Sequence, residues 1–240
     1  MEIDYFRFMK NKFSLFLILI IPVISFGQKS YLFDYALEYN FQLNENAKFE
    51  KRFLLTNSKE NSYLLEVTEK DSLNYELKFI DQNGYYSMTE LSRAIFFKAE
   101  AINLDCSSVM TFTNPYKYQV KNYDFHILND TLIDNNDYSR YLLKSNNLKR
   151  EKKKKLASLF FVLEKDTDFH QPVLMHSTAF EEWKLEKNIS NGIPKLFYFK
   201  SYKTNKILSK YTLLDYKKIN KYIIIPEDCT KSKIELKNNF

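Results

Sequence analysis

Glycine is scarce: the 240 residues contain three, of which only Gly84 and Gly192 lie beyond residue 27. Phosphate-cradling loops, dinucleotide fingerprints and nucleophile elbows each need several glycines close together, because glycine alone enters positive φ freely and lets backbone approach a ligand closely. Nucleotide enzymes and α/β-hydrolases are set aside on that ground. The chain also has only two cysteines, one tryptophan and three histidines. No Pro- or Ser-rich linker and no internal repeat divides it.

Long apolar runs are missing too, with one exception at the N-terminus. Lys10 and Lys12 precede an apolar stretch from Phe13 to Ile24, broken only by Ser14 and Pro22, and Ser25-Phe26-Gly27 then puts small residues at the −3 and −1 positions of a cut before Gln28. That is the three-part pattern of a secretory signal. Crossing a bilayer takes about 20 apolar residues and this run supplies about a dozen, so a permanent anchor or a buried core helix is the weaker alternative. No cysteine follows the run to carry a lipid. The expectation is a cleaved signal at residues 1–27 and a single antiparallel β domain at 28–240, exported to the periplasm or beyond.

What is abundant is Lys, Asn, Ile, Phe and Tyr, all with A/T-rich codons, so the net charge of +6 argues poorly for a nucleic-acid partner. Phe and Tyr lift the aromatic share to 17%, and their placement is informative. From Tyr31 to Leu43 the odd positions read Tyr, Phe, Tyr, Leu, Tyr, Phe, Leu, while Asp34, Glu38, Asn40 and Gln42 hold even ones. Period two over that length is a strand with one wet and one dry face; a helix, turning about 100° per residue, would scatter the same side chains around its circumference. Similar segments follow at 49–56, 63–68, 75–80, 95–104, 116–128, 138–144, 156–163, 196–202, 207–214 and 222–225. Asp81-Gln82-Asn83-Gly84 and Ser190-Asn191-Gly192 are hairpin signals, and Asp134-Asn135-Asn136-Asp137 is a loop. Helices are expected at Ser177–Leu185, where Glu181 follows Thr178 by three residues, and at Met88–Ala94. The fold class is mainly β: one antiparallel, strongly curved sheet, a half-barrel or open barrel, with one or two short helices.

Cys106 and Cys229 each follow a strand-like segment, AINLDC and YIIIPEDC, and an oxidising compartment lets them pair; two buried free thiols are the alternative. Two histidines, His170 and His176, sit in KDTDFHQPVLMH. On a continuous strand they would stand about 20 Å apart, and on a helix about 120° out of alignment, so only a sharp bend at Pro172 could join them on one metal. No metal or other cofactor is expected. General acid-base work by either histidine lacks a placed nucleophile, which leaves a hydrolase as the third reading. Lys149, Arg150, Lys152, Lys153, Lys154 and Lys155 form a basic patch, read either as a solvated loop between strands or as a contact for anionic lipid headgroups or an acidic polymer. The aromatic residues, with Tyr35, Tyr39, Phe41, Tyr86, Phe97, Tyr118 and Tyr198 as ligand-contact candidates, are read either as core or as the lining of an apolar cavity.

In its order of elements the chain resembles the periplasmic lipoprotein-carrier type of half-barrel, through the long first strand FDYALEYNFQL, the DQNGYY hairpin and the closing pair ILSKYTLLDYKK and YIIIPEDC. That resemblance implies an apolar concave surface sheltering acyl chains. The functional reading is a non-catalytic binding or carrier module for a hydrophobic ligand or envelope component; the alternative is a structural or interaction protein whose aromatic residues fill its own core.

Overall fold

The computed structural model describes residues 28–231, so the leader expected at 1–27 lies outside the described residues. The first strand, β1 (Lys29–Gln42), buries every odd position from Tyr31 to Phe41 and half-exposes the even ones, as its period-two pattern requires. It lies at the centre of one sheet. In chain order follow β2 (Glu50–Asn57), β3 (Glu60–Glu69), β4 (Asn74–Asp81), β5 (Tyr85–Ser92), α1 (Arg93–Lys98), β6 (Ala101–Asn103), β7 (Val109–Thr111), β8 (Tyr123–Ile133), β9 (Asn136–Ser145), α2 (Leu148–Lys154), β10 (Ser158–Glu164), α3 (Ser177–Glu186), β11 (Pro194–Lys200) and β12 (Ile207–Ile225). The strands form a 12-stranded open sheet in the order β7-β5-β4-β3-β2-β1-β12-β11-β10-β9-β8. Every pairing along that path is antiparallel; the short β6 adds in parallel to the end of β12.

The β1/β12 pair bends the sheet. Tyr35 faces Lys218 while Phe33 faces Lys221, and Tyr39 faces Leu213 while Glu38 faces Asp215. At each of these two places β12 carries one residue more than β1, the signature of a bulge, which kinks the strand and raises its twist. The dry face of β1 divides at the first of them. Tyr31 and Phe33 enter a cluster with Leu65, Tyr75, Phe79 and Ile223, whereas Tyr35, Leu37, Tyr39 and Phe41 enter another with Phe161, Phe197, Phe180 and Trp183. Neighbouring Leu54 and Leu55 on β2 fall into different clusters, so this strand is covered on both faces. We call the cluster that contains α3 the inner core and the other the outer core. Cys106 and Cys229 are joined by a disulfide across a sequence separation of 123, with Cα atoms 4.6 Å apart, and this bond edges the outer core.

Several elements lie elsewhere than the sequence predicts. Met88–Ser92 continues β5, and the helix begins only where the Ser92 hydroxyl accepts from Ile95 N at 3.3 Å, so 95–104 is a helix end followed by a three-residue strand. Residues 116–122 are two 3-10 turns, started by Asn114 capping Tyr116 N ahead of Pro115. Asp134 and Asn135 both adopt left-handed backbone, φ 49 and 65, making a tight β8–β9 hairpin of what reads as a loop. The lysine run is a helix, α2, capped by Asn147 and ended by Lys155 in the left-handed region. Gly84 ends the β4–β5 turn at φ +126, where a Cβ would meet Phe112 O at 2.8 Å. Among the described residues no helix is long and apolar enough to cross a membrane.

Candidate functional site

The inner face of the sheet is where a half-barrel would hold an apolar ligand, and its own side chains occupy it. Tyr39 is fully buried, donates its hydroxyl to Pro194 O at 2.8 Å and meets the Phe197 ring edge-on at 5.5 Å. Phe197 in turn stacks on Tyr211 at 4.4 Å. Phe41 packs against Tyr211 and carries the Arg52 guanidinium 3.5 Å above its ring. Arg52 and the Tyr211 hydroxyl both donate to the buried Glu66 carboxylate at 2.8 Å, so that charge is paired and bonded.

A continuous segment between β10 and β11 covers this face. It leaves β10 through a 3-10 turn at Lys165–Thr167, and Lys165 pairs with Asp130 and Asp137 at 2.6 Å each. Gln171 N donates to Ser58 O at 2.9 Å and Asn61 Nδ2 to Pro172 O at 3.0 Å, tying the segment to the β2–β3 hairpin. Val173 and Leu174 are buried, as are Ala179, Phe180 and Trp183 of α3. The polar side of α3 is also engaged: Ser177 donates to Gln82 at 2.7 Å, Asn114 to Glu181 at 2.8 Å and Asn188 to Glu182 at 3.0 Å. Residues 190–192 are therefore the return leg of the cover rather than a hairpin. Gly192 sits at φ +146, and a Cβ there would meet Glu164 O at 3.0 Å. A hollow beside the cover, lined by Thr56, Asn61, Leu64, His170 and Leu174 among others, has room for about one water molecule.

The ligand-contact candidates separate accordingly. Tyr35, Tyr39 and Phe41 come together in the inner core. Tyr86 is half-buried on β5, on the side that Ile80 and Leu64 share. Tyr198 stacks on Phe160 at 4.8 Å on the opposite side of the β10/β11 pair from Phe161 and Phe197. Phe97 is 68% exposed on α1 against the outer core, and Tyr118 is 71% exposed on a 3-10 turn. The cover, with Phe180 and Trp183 at its centre, carries no aromatic named among those candidates. Its only sequence signal is the capped helix at 177–185.

His170 is buried and bonded through both ring nitrogens, Nε2 with Thr56 Oγ1 at 2.9 Å and Nδ1 with the Gln171 carbonyl. The carbonyl can only accept, so Nδ1 carries the proton and Nε2 accepts from Thr56. His176 caps α3, accepting from Thr178 N at 3.3 Å, with its ring against Tyr116 and Phe199. The two histidines thus serve different neighbours. Among the described residues no group of three His, Cys, Asp or Glu could hold a metal ion. Burial pushes both histidines below their usual 6.5. A depressed histidine pKa means the unfolded chain takes up protons first, so its stabilisation is complete above about pH 6.5 and is lost as pH falls. The thermal midpoint of the protein is expected to drop between about pH 7.5 and 5.5, and that of the His170→Gln variant to drop less. Parallel profiles for the two proteins would show that His170 is not the group titrating.

No protein-family model matches the chain, and no curated protein matches it. Solved structures do. A chain of the MucA/MucB complex of Pseudomonas aeruginosa aligns with 77% of this chain at 7% identity and a TM-score of 0.41. The alignment takes in 51% of that chain, so this protein spans about half the length of the matched one. A LolA superfamily protein from Nitrosomonas europaea aligns over 78% of this chain and 85% of its own at 11% identity, TM-score 0.28. A putative outer membrane lipoprotein-sorting protein domain from Vibrio parahaemolyticus aligns over 81% and 86% at 9% identity, TM-score 0.28. The likeness is one of architecture.

Proposed function

We propose that the protein is an exported, non-catalytic interaction module of the cell envelope, which meets its partner through its outer surface while its own cover occupies the inner face. The observation that carries this reading is the filled inner face: Phe180 and Trp183 of the cover lie in one buried cluster with Tyr39, Phe161 and Phe197, and the hollow beside His170 takes about one water, where an acyl chain needs several hundred Å³. Export is supported by the charged and apolar pattern before Gln28 and by the Cys106–Cys229 bond, since disulfides persist in oxidising compartments. Both ring nitrogens of His170 are committed to Thr56 and Gln171, which speaks against the hydrolase reading.

The carrier reading retains one observation in its favour. The cover is a single segment between β10 and β11, and lifting it unpairs no strand. Native mass spectrometry after mild purification, with a fluorescent fatty acid displacement assay beside it, separates the two. A clean protein mass and no saturable displacement are expected; co-purifying lipid that the fluorescent fatty acid displaces in a saturable way would establish the carrier instead.

A further inference from the structure

The basic helix α2 presents one face to solvent, and that face is of two kinds. Successive residues turn by about 100°, which places Leu148, Lys152, Lys149 and Lys153 within one arc of about 140°. Arg150 and Glu151 occupy the opposite side. Glu151 is buried, and Arg150 donates to Gln119 at 3.0 Å and lies over the Tyr123 ring at 5.1 Å, so this arginine fastens the helix to the chain ahead of β8. Asn146 donates to Lys121 O at 3.1 Å, a second tie to the same segment. The patch therefore extends onto residues 117–121, where Lys117, Tyr118 and Lys121 are exposed. Leu148 is 74% exposed and Tyr118 is 71% exposed. Lys154, on the side of Arg150 and Glu151, and Lys155 are also exposed at the end of the helix. Among the described residues no ion pair joins any of these lysines to a carboxylate.

We propose that this surface docks onto an anionic lipid bilayer, the lysines of α2 meeting headgroup phosphates while Leu148 and Tyr118 enter the interfacial layer. Clustered lysines are attracted to an acidic membrane surface at short range and in a salt-dependent way. An exposed leucine and tyrosine rimmed by lysines match the chemistry of that interface, where the aromatic ring and aliphatic chain are taken up and the charges stay in the headgroup layer. A soluble acidic polymer would use the lysines and leave the two apolar side chains in water, and for that reason a bilayer is the better fit. The proposal rests on the reading that the protein works through its outer surface. It deepens that reading by naming the surface and the chemistry that meets it.

Flotation of the purified protein with vesicles of equal parts phosphatidylglycerol and phosphatidylcholine tests it, with vesicles of phosphatidylcholine alone as reference. Binding is expected only to the anionic vesicles and is expected to fall steeply with added salt. The triple variant Lys149→Glu/Lys152→Glu/Lys153→Glu should partition about a hundredfold more weakly. The pair Leu148→Asn/Tyr118→Ser should bind several-fold more weakly with the same salt dependence, and both variants should keep the parent thermal midpoint because every altered side chain is exposed. Absence of binding to anionic vesicles at low salt, or equal binding by the triple variant, overturns the proposal. Equal vesicle binding by the Leu148/Tyr118 pair, together with tighter binding of soluble polyglutamate, overturns it in favour of an acidic polymer. Failure here leaves the outer-surface reading standing so long as fluorescent fatty acid shows no saturable displacement, whereas saturable displacement removes that reading whatever the vesicles show.

Discussion

Replacing both cysteines, Cys106→Ala with Cys229→Ala, is expected to lower stability by about 4 to 5 kcal/mol and the thermal midpoint by roughly 8 to 20 °C. The loop the bond closes, with a sequence separation of 123, holds β7 to β12. In the chain-entropy account the bond acts by denying the unfolded chain the conformations in which those ends part, and that gain grows with the logarithm of loop length. The folded state adds a second reason. Cys229 is fully buried and contributes to the outer core just after β12, whose residues Tyr222–Ile224 carry β6 in parallel. A parallel strand of three residues holds its place poorly by ladder bonds alone, and the disulfide pins the turn directly after it. Alanine is the better replacement, since a serine at 229 would bury a hydroxyl in an apolar cluster. Equilibrium denaturation of the variant and of the reduced parent should agree. A midpoint within a degree or two of the parent for both would mean that the outer core and the β1/β12 pairing hold the closure unaided.

The same bond shows where the sequence is readable. Two cysteines, each at the end of a strand-like segment in a chain with an export pattern, suffice to suggest the pair. The wet and dry faces of β1 are equally open to reading, because a half-buried strand stamps its period on the residues directly. The splitting of that dry face between two cores is not, since Phe33 and Tyr35 look alike in sequence and are separated by one extra residue on β12, which faces them from nearly two hundred positions away. Tertiary context also overrides local signals. Lys217, Lys218 and Lys221 interrupt the apolar pattern that would join 207–214 to 222–225, yet β12 runs through them because β1 supplies a partner along that length. Five lysines at 149–155 argue for a repelling loop, and the cap from Asn147 together with the inward Arg150 settles α2 as a helix instead. The cover is the least legible part. Its capped helix can be found, but that Phe180 and Trp183 turn onto the inner face is decided by long-range contacts with strands before and after it.

Trp183→Ala is expected to cost about 3 to 5 kcal/mol, lowering the thermal midpoint by roughly 6 to 20 °C. The indole lies in the inner core at 6% exposure, with the Lys187 ammonium 3.2 Å from its ring centroid, so truncation removes buried apolar surface, dispersion contacts and a cation–π contact together. Leu185→Ala on the same helix is the matched control. That leucine is 65% exposed, and its removal should change stability by less than about 0.5 kcal/mol. The vacancy left by one indole lies among the apolar side chains of the inner core with the Lys187 ammonium on one side, so it should admit a small aromatic guest such as benzene and regain part of the lost stability by linkage. It is too small for an acyl chain. Fluorescent fatty acid should therefore still fail to bind the variant in a saturable way, because the rest of the cover, tied down through Ser177, Asn61 and His170, stays in place. Saturable fatty acid binding by a variant that still unfolds cooperatively would mean that Trp183 alone bars the inner face and that the cover swings aside once it is gone. The filled face would then be a closed carrier, and α3 its gate.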